Sequence, residues 1–175
     1  MKIVVLAGGT STERDVSIVS GTGICQALRQ KGHQAILVDV FCGLETVNWE
    51  DPFPAEYDVE KAAEYIKGFN PQMKELKKAR RDFFGSKCHR TLQKSRLCFS
   101  RTSRCKRRMD GKLQAAFDLM GIPYTGTGYL SSAMAMDKGV TKAMFQMRGV
   151  STPGGKAMRK KTVRTLLRHL AWNFL

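Results

Sequence analysis

Apolar and polar positions follow three regimes along this chain. Ile3-Val4-Val5-Leu6-Ala7 is apolar at every position, the mark of a strand buried on both faces of a parallel sheet. Gly8-Gly9-Thr10-Ser11-Thr12 cannot continue it, because paired glycines and small hydroxyl residues favour a tight turn. Apolar residues return at Val16, Val19, Ile24 and Leu28, and Gly32 ends the run, which predicts a helix over Asp15–Lys31. Gln34–Val40 reads as a second strand. Strand, helix and strand in immediate succession predict a βαβ unit, hence a parallel sheet with a right-handed crossover.

Residues 43–57 are irregular, with Trp49, Pro52 and Pro54. Asp58 is a suitable cap for a short helix over Val59–Lys67, with Val59, Ala62, Ala63 and Ile66 inward. Asn70-Pro71 predicts a cap and first-turn proline for a helix over Gln72–Asp82, whose Lys74, Lys77, Lys78, Arg80 and Arg81 form a solvated basic face. Gly111–Met120 predicts a helix stopped by Gly121 and Pro123. Tyr124–Gly128 is a glycine turn, followed by one helix through Leu130, Met134, Met136 and Val140 to Arg148. Ser151–Gly155 reads as a linker. The sum is an α/β fold: a doubly wound parallel sheet.

The pattern fails twice. Between Gly85 and Asp110 such a fold needs another near-continuous Val/Ile/Leu strand. Residues 87–109 show neither a 3.6 nor a 2.0 period, and Leu92, Leu97, Phe99 and Met109 are their only large aliphatic or aromatic residues. A disrupted central strand is the expectation. Residues 156–175 likewise lack a recognisable closing element.

Charge follows the same division. The net charge is +15. Residues 87–109 hold nine Lys/Arg and residues 156–175 hold six, with no acid in either, while the remaining 132 residues carry fifteen bases and fifteen acids. The imbalance therefore belongs to the two segments, not to the domain. Apart from Phe99 the basic stretch lacks aromatics for base stacking, and no helical face organises its arginines, which argues against nucleic acid. Cys88, His89, Cys98 and Cys105 show no paired spacing of the kind zinc requires. Five cysteines, an odd number, with no signal peptide and no membrane-length apolar run, predict a cytoplasmic protein with reduced thiols.

Strand, glycine turn and helix start together aim backbone N–H groups and a positive dipole end at one point. Glu13 lies at its mouth. A carboxylate there suits an ammonium group better than a phosphate, which favours an amino-acid-like substrate. Gly8-Gly9 alone serves equally as a structural turn, since this is neither GxGxxG nor a P-loop. Tyr124–Gly128 is equally open between ligand approach and a plain turn. Lys138, within the last predicted helix, is either a surface lysine or a phosphate partner.

Three segments, LAGGTSTERDVSIVSG, DGKLQAAFDLMGIPYTGTG and SSAMAMDKGVTKAMFQMRGVSTPG, resemble in order the N-terminal part of a D-alanine–D-alanine ligase, an ATP-grasp family. The resemblance covers residues 1–40 and 110–155 closely and 58–86 less distinctively. It implies a Rossmann-like, pre-ATP-grasp domain over 1–153 and the start of the ATP-grasp domain over 154–175. It also implies ATP-dependent joining of two D-alanines through an acyl-phosphate, with magnesium, for peptidoglycan synthesis, in a homodimer without membrane or nucleic-acid partners. By the same resemblance Glu13 matches the acid that helps bind the first ammonium group. Gly8, Gly9 and Ser17 match the substrate-side wall, and Lys138 a lysine reaching ATP phosphate.

Two departures qualify this. The family's apolar strand and its Leu-His-Gly motif have no counterpart in 87–109, where His89 stands at the wrong end. The residues that grip ATP and ligate magnesium follow Pro153-Gly154 in the family and are not found here. Both basic segments fit translation out of frame, entered near Ser86-Lys87, restored near Met109-Asp110 and entered again near Thr165. The expectation is an inactive fragment of a ligase. The alternative is a small basic nucleic-acid- or partner-binding protein built on the half-domain.

Overall fold

The computed structural model describes residues 1–44, 48–80, 82–100 and 111–155. Three parallel strands, β1 (Lys2–Ala7), β2 (Gln34–Asp39) and β3 (Leu97–Ser100), form a sheet in the order β2-β1-β3. Register runs from Lys2 opposite Gln34 to Ala7 opposite Asp39, and from Ile3 opposite Leu97 to Leu6 opposite Ser100. β1 is apolar from Ile3 to Ala7 because it is the middle strand and both of its faces are covered. Ile3, Val5 and Ala7 pack with Ile18 and Cys25 of α1 (Arg14–Gln30) and Ala63 and Ile66 of α2 (Val59–Gly68). Val4 and Leu6 point the other way, into a cluster with Met73 of α3 (Met73–Ala79), Leu92 of α4 (Cys88–Lys94) and Phe117 of α5 (Lys112–Leu119). Helices thus lie on both faces, as a doubly wound sheet requires. Each large side chain fully buried this way contributes about 1.5–3 kcal/mol.

The helix expected over Asp15–Lys31 is present, but its inward face is not the one carrying Val16 and Val19. Those two are 65% and 63% exposed, while Ser17, Ile18, Gly21, Thr22 and Cys25 face the sheet. Small residues occupy that face because α1 approaches β1 closely: a Cβ at Gly21 would lie 2.7 Å from the Ala7 Cβ. Asp58 caps α2 as expected, accepting from the Lys61 N–H at 2.9 Å. Asn70-Pro71 opens a 3₁₀ turn over Asn70–Gln72 before α3, which ends at Ala79 rather than Asp82. Arg80 leaves the expected solvated face. Its guanidinium stacks 4.7 Å above Phe41 and donates to the Phe41 and Phe84 carbonyls.

The expectation of no strand within 87–109 is overturned. β3 occupies Leu97–Ser100, and Cys88, Thr91 and Leu92 of α4 are buried against the sheet. The strand is short, and cysteine fills positions where Val or Ile was sought, so an aliphatic pattern does not reveal it. The Cys98 N–H donates to the Pro123 carbonyl at 2.8 Å and the Thr125 N–H to the Cys98 carbonyl at 3.0 Å, so β3 carries the chain at Tyr124 beside it. Lys87, just before α4, is the only non-glycine with positive φ (66°) among the described residues. Residues 101–109 and the tail 156–175 lie outside the described residues.

The chain divides into two units, Met1–Tyr129 and Leu130–Leu175. The single helix expected through Leu130 to Arg148 is two, α6 (Tyr129–Met136) and α7 (Lys138–Met147). Asp137 makes the break: its carboxylate accepts from the Gly139 and Val140 N–H groups, the geometry of a helix cap. No helix among the described residues is long and apolar enough to cross a membrane.

Candidate functional site

Parallel strands deliver their connections to one edge of the sheet, and ligands of such folds bind at the carboxyl ends of the strands. Here that edge is built from the β1–α1 turn (8–13) and the segment after β2 (40–44). Gly8 (φ 71°) and Gly9 (φ 92°) turn the chain through the left-handed region, closed to most side chains. A Cβ at Gly8 would fall against the Asp39 carboxyl carbon at 2.7 Å. Ser11 Oγ accepts from the Glu13 N–H at 3.1 Å, and the Glu13 carbonyl accepts from the Ser17 N–H at 3.0 Å. These bonds place Glu13 at the cap of α1.

Four of the five residues nominated from sequence come together on this connection. Gly8, Gly9 and Ser17 are buried, and Glu13 alone is exposed. Lys138 lies in the other unit, exposed, as the first residue of α7. The N–H groups of that helix start are already taken by Asp137, so an anion there would rely on the Lys138 side chain. Among the described residues no three carboxylates, imidazoles or thiols converge.

Two residues absent from the sequence nominations organise the turn. Arg14 is 5% exposed and Asp39 is fully buried. Arg14 Nη1 stands 2.5 Å from Asp39 Oδ2 and donates to the Gly9 carbonyl at 2.8 Å. Its Nη2 donates to the Ile66 carbonyl at 2.8 Å and its Nε to Asn70 Oδ1 at 2.7 Å. Asp39 Oδ1 accepts from the N–H groups of Phe41 (2.7 Å), Cys42 (3.0 Å) and Gly9 (3.5 Å). A cation in the first turn of a helix opposes the helix dipole. Arg14 holds that position through the buried carboxylate facing it. The signal was present in the sequence: a lone acid directly after the apolar run Ala35–Val38, and an arginine where a helix start favours acids.

Burial pushes the Cys42 thiol, beside this pair, up to about 11, with the Asp39 charge adding to the rise. It is therefore a neutral thiol at neutral pH. Cys25, Cys42, Cys88 and Cys98 are all free.

A family model described as D-ala D-ala ligase N-terminus matches residues 2–127. The chain belongs to the D-alanine–D-alanine ligase family. Among its relatives are the D-alanine–D-alanine ligase of Pediococcus pentosaceus, 35% identical over 87% of this chain and 44% of that protein, and that of Lacticaseibacillus casei, 37% identical over 91% and 46%. The chain thus spans about half the length of the ligases it matches. Among solved structures, the VanG D-Ala:D-Ser ligase of Enterococcus faecalis shares the fold with a TM-score of 0.63 at 23% identity, covering 98% of this chain and 49% of that one. The D-alanine–D-alanine ligase of Helicobacter pylori does so with a TM-score of 0.58 at 19% identity, over 95% and 50%. The three-stranded parallel sheet is the ligase N-terminal fold.

Proposed function

We propose that this chain supplies the D-alanine side of an ATP-dependent D-alanine–D-alanine ligase, acting in the cytoplasm in peptidoglycan precursor synthesis. The observation that carries this reading is Glu13, an exposed carboxylate at the mouth of a rigid glycine turn on the sheet's carboxyl edge, in a chain of the ligase family. Its role is to take the ammonium group of the first D-alanine. Gly8, Gly9 and Ser17 form the wall behind it, and Lys138 reaches toward ATP phosphate.

Ligation needs groups that hold ATP and magnesium, and among the described residues no three metal-ligating side chains converge. The remaining part of the ligase supplies them, so residues 1–175 alone bind D-alanine without joining it. The exposed apolar side chains Leu130, Met136, Val140 and Phe145 of α6 and α7 suit contact with that remaining part. The test is a titration of the ¹⁵N-labelled chain with D-alanine. Saturable shifts at Gly8, Gly9 and Glu13, abolished in Glu13→Gln, are expected. Shifts unaffected by Glu13→Gln would remove Glu13 from the site.

A further inference from the structure

Glu13, at the end of the glycine turn, is exposed, and Asp39, packed against the same turn, is fully buried. The buried one is committed to Arg14, the residue next to Glu13 in the chain. We infer that Arg14 and Asp39 are positioning residues for Glu13, a clamp that sets where the ligand-facing carboxylate stands. This rests on the D-alanine reading above for its consequence, but not for its geometry.

The clamp grips the two peptide units that flank the Gly9 Cα. The Gly9 carbonyl accepts from Arg14 Nη1 at 2.8 Å, and the Gly9 N–H faces Asp39 Oδ1 at 3.5 Å. The same guanidinium reaches the Ile66 carbonyl near the end of α2 and Asn70 Oδ1 just beyond it. Asn70 in turn donates from Nδ2 to Asp15 Oδ1 at 2.5 Å, fastening the residue on the far side of Arg14. One side chain thereby ties the β1–α1 turn to the end of β2, the end of α2 and the first turn of α1. Glu13, between the clamped Gly9 and the clamped Arg14, has little backbone freedom left.

The geometry demands the arginine fork in particular. Five donors in a fixed plane serve a carboxylate, two carbonyls and an amide oxygen at once, which a lysine ammonium on a flexible stem does not reproduce. Charge is handled as well: Asp39 is neutralised internally, so it does not compete with Glu13 for a cationic ligand.

The test compares Arg14→Lys and Asn70→Ala with the parent 175-residue chain. Arg14→Lys keeps the charge facing Asp39 and removes the fork; Asn70→Ala keeps the ion pair and removes the link to Asp15. Thermal unfolding shows that each variant is folded, and the amide resonances of Gly8, Gly9 and Glu13 report the turn. Folded Arg14→Lys with displaced or broadened resonances at these three residues, and D-alanine binding weakened about tenfold to a hundredfold, is expected. Folded Arg14→Lys that keeps the parent resonances and affinity overturns the clamp while leaving the Glu13 reading intact. If the parent chain itself shows no D-alanine binding, that reading fails. The three resonances then decide the clamp alone, unchanged positions in the variant overturning it. If Arg14→Lys does not fold, Asn70→Ala is judged by the same resonances.

Discussion

Gly21 and Gly23 stand two residues apart in α1, and Gly→Ala has opposite consequences at the two positions. In a helix interior alanine is favoured over glycine by about 0.8–1.0 kcal/mol, and this term is common to both. Gly23 points to solvent with nothing within 4 Å of an added Cβ. Gly23→Ala should therefore stabilise by nearly the whole propensity gain. At Gly21 the same methyl would lie 2.7 Å from the Ala7 Cβ and 3.2 Å from Leu37 Cδ1. Neither neighbour has room to give: both are buried, and Ala7 has no rotamer to change. α1 must lift from the sheet, and overpacking of this kind costs about 1–3 kcal/mol. The difference between the two variants cancels helix propensity and reports the helix–sheet contact alone. Urea unfolding should separate them by about 1–3 kcal/mol, or about 2–12 °C in melting temperature for a chain of this size. Equal stabilisation by both substitutions would refute the close approach of α1 to β1.

Other substitutions test other parts of the fold. Leu92 is fully buried, so Leu92→Ala should cost about 2–5 kcal/mol in urea unfolding, and a loss below about 0.5 kcal/mol would take α4 out of the core. Lys87→Gly should raise the melting temperature, because a left-handed residue with a Cβ costs about 1–2 kcal/mol and glycine gives back only about 0.5–1 kcal/mol of that in chain entropy; a lower melting temperature would contradict the strain at φ 66°. Asp58→Ala removes the carboxylate that caps α2, for an expected loss of about 0.5–2 kcal/mol, and no loss would mean the cap is idle. Burial pushes the Cys25 and Cys88 thiols up to about 12 and Cys42 to about 11, from 9.0. The folded chain therefore keeps protons that the unfolded chain releases, so this contribution is whole below about pH 9 and is lost as pH rises toward 11–12. Stability unchanged between pH 8 and pH 11 would show that these thiols are not sequestered.

The sheet and its helices were legible where the chain obeys simple periods. A run of five apolar residues marked β1, Asp58 marked the start of α2, and Gly32 and Gly121 fall where helices end. Legibility failed where small or polar residues do the packing. In α1 the sheet face is built from Ser17, Gly21, Thr22 and Cys25, so the valines at 16 and 19 suggested the wrong side. In 87–100 two cysteines, a threonine and one leucine fill the space that Val and Ile were expected to occupy. The break at Asp137 was missed because Met136 and Val140 keep helical spacing across it, and only the carboxylate's competition for the next N–H groups reveals a cap. Glu13 was nominated from charge and position. Arg14 and Asp39 were not, because an acid closing β2 and an arginine at a helix start take their meaning only from the contact between them, 25 residues apart in the chain.

The proposed role of this chain is to contribute the D-alanine-binding half of a ligase. The most direct measurement mixes the purified chain with the separately made C-terminal part of the Pediococcus pentosaceus ligase, which this chain does not span, and follows ADP release with ATP and magnesium. D-alanine-dependent release is expected from the mixture only, with none from either part alone and none when Glu13→Gln replaces the parent chain. Release that is indifferent to Glu13, or absent from the mixture at every concentration, would contradict that role.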